Sequence, residues 1–397
     1  MKGGWLIRSF YRIRPIFLMA LLLLSFCSCK KEETLSDAKG TVSDAAETIS
    51  KSEQPEENKS ETPVTEWKEE PEQEPLTAVN LEEPYELQEG MMYSYLTGEP
   101  VPEEIGHQRP IAVMLNNIYD ACPQSGISRA GIIYEAPVEG GITRLMGVFE
   151  DYGDLTKIGS VRSCREYFVY LDTGLDAIYF HYGQAAYAIP LLESDRIDNV
   201  NGMDYSEEVY YRTSDRKAPH NAYLSADGVE RGISLCNYRR NYPEDYQGAF
   251  VFASPEEAQT LEEGYPAKKV IPGGYFHNNP WFAYDEATGT YLRYQFGEPQ
   301  IDEMNGEQLS AKNLILQYCS WEKYPDSDEY LNIDVCSGGT GVYVTNGKAV
   351  DITWSREEDF GPTSYLDKEG NPIVLNPGKT WILIILDTYS DSTQITE

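Results

Sequence analysis

Nine side chains in the first half of the folded chain are of types that can do chemistry, and they sit in short polar strings: Asn117, Glu135, Glu139, Arg144, Arg162, Arg165, His181, Arg216 and His220. Guanidinium forks grip a carboxylate or phosphate through two parallel hydrogen bonds. Mixed with carboxylates and imidazoles, they could bind a small anionic or zwitterionic ligand. Gly140 and Gly141 would let backbone approach it. His181 and His220 beside Glu135 or Glu139 could hold zinc, or one of them could act as a general base. No His-x-x-x-His or Cys-x-x-Cys spacing supports a metal, and no phosphate-loop or dinucleotide fingerprint is present, so neither a metal nor a cofactor is expected. Ser160, Ser163 and Cys164 form a nucleophile-like string that resembles only in part the cysteine motif of L,D-transpeptidases, because the preceding histidine and glycine are missing. The competing expectation is that these polar groups pair with one another inside the fold, most of all Glu135 and Arg144, which fall within strand-like runs.

The elements that must position these groups alternate. Ile111–Leu115, Gly131–Glu135, Thr143–Phe149 and Ala177–Tyr182 read as short buried strands; Glu166–Leu171 and Ala185–Leu192 read as helical. That alternation predicts an α/β or α+β domain over 85–245. After a boundary near 245–250, within a region rich in Pro-Glu and Glu-Glu, the pattern turns mostly β over 250–397. Trp281–Tyr284, Tyr291–Tyr294, Asn313–Tyr318, Gly341–Thr345 and Lys348–Trp354 are strands, with a hairpin at Asn346-Gly347. Trp381–Leu386 is expected to close that sheet.

The start of the chain carries a different message. Lys2, Arg8, Arg12 and Arg14 precede an apolar run from Ile16 to Leu24, too short to span a membrane and of the length of a signal segment. It ends in Phe26-Cys27-Ser28-Cys29, which resembles a lipobox, although Phe26 stands where leucine is usual. Residues 1–29 are therefore expected to be a lipoprotein signal, with lipid on Cys29 holding the protein to the extracytoplasmic face of the cell membrane. Residues 30–84 then form an acidic linker. Within 30–83 there are 16 acidic and 6 basic side chains and few large apolar ones, a composition that predicts a disordered tether. The whole chain carries a net charge of −33, which argues against nucleic acid as a partner. The five cysteines beyond Cys29 are an odd number and are expected to be mostly free, with Cys319 and Cys336 as the one candidate pair.

Longer strings resemble a known family. Arg109-Pro-Ile-Ala-Val-Met-Leu-Asn-Asn117, Pro-Gln-Ser-Gly at 123–126, Val-Glu-Gly-Gly-Ile-Thr-Arg at 138–144, Ile-Gly-Ser-Val-Arg-Ser at 158–163 and Arg-Lys-Ala-Pro-His-Asn at 216–221 are similar to the YerB-like lipoproteins, which carry the DUF3048 domain pair. Gly338-Gly-Thr-Gly341, Asp351-Ile-Thr-Trp354 and Leu375-Asn-Pro-Gly378 extend the resemblance to about residue 390. It implies two domains on a lipid anchor and no reaction. Cys122 and Cys164 depart from the pattern, which removes them as shared catalytic groups. Three expectations follow: a binding lipoprotein with a polar pocket for a small ligand or cell-envelope component; a hydrolase or transferase of envelope polymers using Glu135 or Glu139 with His181 or His220; or an interaction protein without a pocket.

Overall fold

The structure, a computed structural model, describes residues 87–254, 256–327 and 329–397. The signal segment, Cys29 and the acidic linker lie outside the described residues. Among those described, no helix is long and apolar enough to cross a membrane. The fold is mostly β with few helices.

Its strands, in chain order, are β1 (Ile111–Asn116), β2 (Ile132–Pro137), β3 (Thr143–Phe149), β4 (Ile178–His181), β5 (Asn199–Asn201), β6 (Trp281–Asp285), β7 (Thr290–Gln295), β8 (Asn313–Cys319), β9 (Gly339–Thr345), β10 (Lys348–Ser355) and β11 (Thr380–Leu386). The longer helices are α1 (Glu166–Thr173) and α2 (Ala226–Cys236). Shorter pieces tie these together. Only 186–192 departs in kind from the expected helices, being a 3-10 turn followed by one helical turn.

One mixed sheet of 11 strands organises the molecule, running β10-β9-β8-β11-β2-β3-β1-β4-β5 through its main strands. β11 was expected to close the second half. Instead it lies at the centre, parallel to β8 on one side and to β2 on the other. All seven of its residues are buried, and a strand with that much apolar surface needs a neighbour on each edge and cover on each face. The boundary expected at 245–250 thus divides the sequence, while the sheet and its core run across both segments.

Alternate side chains feed two cores. On one face, Val113, Leu115, Leu145, Phe180, Leu316 and Leu383 meet Val229 and Ile233 of α2 and Phe282 and Tyr291 of the smaller sheet built around β6 and β7. On the other, Met114, Tyr134, Met146, Tyr179, Ile315 and Ile384 meet Phe168 and Leu171 of α1. Residues of a strand covered on both sides read as an unbroken apolar run, as these do. The five cysteines of the described residues are free, so the pairing considered for Cys319 and Cys336 does not form.

Candidate functional site

The antiparallel pairing of β1 with β3 sets Asn116 opposite Arg144 at one end of the sheet. A loop, 160–165, is strapped across that end. Asn116 N–H donates to Ser160 O at 2.9 Å, Arg162 N–H to Met114 O at 2.9 Å, Tyr182 N–H to Arg162 O at 3.0 Å and Cys164 N–H to Gly183 O at 2.9 Å. Backbone bonds to two strands therefore fix where Arg162 and Arg165 begin. Arg144 Nη1 donates to Ser163 O at 2.6 Å. Arg165 forks Glu139, with Nε on Oε1 at 2.6 Å and Nη2 on Oε2. Arg162 Nη1 reaches Pro219 O at 3.4 Å, and the neighbouring His220 Nδ1 meets Asn116 Nδ2 at 2.8 Å.

This group is electrostatically unbalanced. Burial, then repulsion from Arg165 and Arg162, pushes the Arg144 pKa down to about 10. Burial and the charges of Arg165 and Arg212 lower that of Arg162. Burial opposes the charge of Arg165 too, but the Glu139 fork outweighs it and lifts its pKa. Of the three guanidiniums, only that of Arg165 pairs with a carboxylate among the described residues. Arg144 is only 5% exposed. Its Nε and the Nε of Arg162 are buried with no hydrogen-bond partner, although a buried donor without one costs about 1–3 kcal/mol. Burial and Arg162 also lower the pKa of His220.

Four of the nine expected site residues are taken up elsewhere. Glu135 is fully buried under β6 and β7. Its Oε2 pairs with Arg293 Nη2 at 2.7 Å and accepts from Trp381 Nε1 at 3.2 Å; its Oε1 accepts from Thr143 Oγ1, Asn278 Nδ2 and Asn117 Nδ2. Asn117 belongs to this knot, which joins the two sheets. His181 is buried, with Nδ1 on Gly183 O at 2.9 Å and Nε2 on Asn199 Oδ1 at 3.1 Å, so neither nitrogen is left for His220 or a carboxylate. Burial lowers its pKa. Arg216 clamps Ala121 O and Pro123 O at 2.7 and 2.8 Å. Glu139, Arg144, Arg162, Arg165 and His220 remain together. The Cys164 thiol is pushed up to about 12 by burial, which disarms it as a nucleophile near neutral pH.

Clefts of about 420 and 680 Å³ lie elsewhere, one beside Trp321, Asp334 and Asp359 and the other against Asp351 and Lys368; neither includes the arginines. The arginine notch is the group at the sheet end in which Arg144 and Arg165 are buried and Arg162 is half-buried. Sequence reading passed over two of its neighbours, Arg212 and Tyr330, and one distant partner, and weighed Ser163 only as a nucleophile. Arg212 lies over the Tyr182 ring at 4.6 Å, Ser163 carries the carbonyl that holds Arg144, and the Tyr330 ring lies 5.4 Å from the Arg165 guanidinium. Arg293, the counterion of Glu135, was legible in principle. Tyr291, Arg293 and Gln295, all buried, alternate with half-buried positions along β7, which marks Arg293 as inward-facing.

Two family models match the chain: the N-terminal domain of DUF3048, a protein of unknown function, over residues 96–239, and the DUF3048 C-terminal domain over 271–382. The chain is 32% identical over 293 residues to "Putative lipoprotein YerB" of Bacillus subtilis (strain 168), covering 74% of this chain and 86% of that protein. A crystal structure of the YerB protein from Bacillus subtilis superposes with a TM-score of 0.68 at 30% identity, covering 77% of this chain and all of that one.

Proposed function

The chain belongs to the DUF3048 family, and from that premise we propose that it is an extracytoplasmic lipoprotein whose arginine notch binds the phosphate or carboxylate of a small ligand or cell-envelope component. The carrying observation is the unpaired charge: of Arg144, Arg162 and Arg165, only Arg165 has an ion-pair partner among the described residues, Glu139, and the Nε donors of the other two lack partners. Burying cations without counterions is costly unless an anion joins them. Here they persist in a chain of net charge −33, where carboxylates to neutralise them are abundant. An anion placed among them would accept charge-assisted bonds worth roughly 1.5–3 kcal/mol each. The anchor rests on the signal-like segment ending at Cys29 and on the name of the Bacillus relative.

Of the parts of the enzyme reading, Glu139 and His220 stay near the arginines, with Glu139 forked by Arg165, while the others are engaged elsewhere. Glu135 and His181 are saturated, and the Cys164 thiol is held protonated.

The test is calorimetric titration of the full chain, in detergent, with inorganic phosphate and with acetate. One of them should bind in the wild type, and Arg162→Ala should weaken that binding roughly tenfold or more with the melting temperature held. Equal heats for wild type and Arg162→Ala would end the reading. For the anchor, Cys29→Ser should move the protein from the membrane to the soluble fraction.

A further inference from the structure

Next to the arginines stands a wall of three tyrosines, two of them contributed by the other half of the chain. A two-stranded hairpin, Trp321–Lys323 with Leu331–Ile333, carries Tyr324 and Tyr330 at its turn end. Tyr330 lies against Arg165. Tyr324 stacks on Tyr187 at 3.5 Å and 3°, and Tyr187 meets Tyr330 edge-on at 5.5 Å. None of the three rings is fully buried. Carboxylates sit at the far ends of two of them: Tyr324 Oη donates to Glu166 Oε1 at 2.8 Å, and Tyr187 Oη donates to Asp326.

We propose that the anion at the arginines is carried by a sugar, so that the ligand is a saccharide bearing one phosphate or carboxylate group, its ring resting on Tyr187, Tyr324 and Tyr330. This deepens the anion-binding reading and depends on it. The charge zoning selects the class. Arg165 lies against Tyr330, while Glu166 and Asp326 accept from the phenols of Tyr324 and Tyr187 on the side of the wall away from Arg144 and Arg162 in the chain of contacts. Both carboxylates repel a second anionic group, and the exposed Asp326 can also accept hydrogen bonds from ligand hydroxyls. A ligand matched to both ends is anionic at one end and neutral and hydroxyl-rich at the other. Tyrosine suits such a partner, with an apolar ring face for C–H surface and a phenol for hydroxyls.

The test compares binding of N-acetylglucosamine 1-phosphate, glucuronic acid, inorganic phosphate, neutral N-acetylglucosamine and adenosine monophosphate to the full chain. One anionic sugar, phosphate-bearing or carboxylate-bearing, should bind roughly tenfold more tightly than inorganic phosphate, with the neutral sugar weaker than both. Tyr187→Leu should collapse that ratio to about one, and Tyr187→Phe, which keeps the ring, should retain it. A ratio of one in the wild type, or a ratio untouched by Tyr187→Leu in a protein that melts normally, overturns the saccharide and leaves the anion site standing. Tighter binding of adenosine monophosphate than of either sugar also overturns it. Silence from every anion, phosphate included, overturns both readings together.

Discussion

At the scale of single residues, two buried arginines of the same type have opposite meanings. Arg293 is fully buried with its carboxylate, Glu135, at 2.7 Å, and its guanidinium lies 4.7 Å from the Phe282 and Trp381 rings. Removing one partner of such a pair leaves the other charge stranded, so Arg293→Met should destabilise by about 3–5 kcal/mol. Arg144 has no carboxylate of its own and is repelled by two neighbours. Arg144→Met should therefore change the unfolding free energy by no more than about 1 kcal/mol while abolishing anion binding; urea melts beside titrations would separate the two. Glu150 offers a pH test outside both sites. Burial, only partly offset by the hydroxyl of Ser94, lifts its pKa from 4.5 to about 7. The folded state then holds a proton that the unfolded state has released. The group's contribution is fully present below pH 4.5 and is lost as the pH rises through 7. Glu150→Gln should raise stability by ~1–3 kcal/mol at about pH 8 and leave it unchanged at about pH 4, read from melts at the two values. The arginine notch was legible in the sequence because its members lie in two short strings, 139–144 and 162–165. The role of Glu135 was not, because its partner is 158 residues away.

At the scale of elements, strands could be read where hydrophobic runs were unbroken, and the hairpin where turn chemistry was explicit. Asn346 and Gly347 both take positive φ, +48° and +75°, as the Asn-Gly pair led one to expect. Strand order could not be read, since the parallel registers of β11 with β2 and β8 depend on long-range contacts that no local pattern encodes. The helix that escaped, α2, shows a different conflict. It has sound ends, with Ser225 Oγ accepting from Gly228 N–H at 3.2 Å and Asn237 in the left-handed conformation. Its interior carries Gly228 and Gly232, which depress helix propensity. Packing explains them: a Cβ at Gly228 would stand 2.2 Å from Val209 O, and one at Gly232 3.0 Å from the Phe180 ring. Tertiary fit overrides propensity here. Gly228→Ala should accordingly destabilise by roughly 1–3 kcal/mol, although an exposed helix would gain from the same change. A urea midpoint at or above the wild-type value would show that the backbone of α2 yields to the methyl group.

At the scale of the whole molecule, the two family models, 96–239 and 271–382, correspond to sequence segments that complete one another. Residues Thr380–Leu383 pair with Ile132–Glu135, while the full length of β11 pairs with β8. Without the second segment, β2 would present an edge of buried, mostly apolar residues to water; without the first, β11 would do the same. Exposed edges of that kind recruit other chains. The site divides in the same way, with arginines from the first segment and Tyr324 and Tyr330 from the second. Residues 87–245 and 250–397 made separately should therefore aggregate or lack a cooperative melt. Made together, they should co-purify as one species that melts cooperatively and binds whichever anion the intact chain binds. A soluble, monomeric 87–245 segment with a sharp melt would instead mean that β2 tolerates an open edge and that β11 docks onto a body already formed. In that case the tyrosine wall would be an addition to a finished arginine site, and the isolated segment should bind inorganic phosphate as the intact chain does while losing any preference for the sugar.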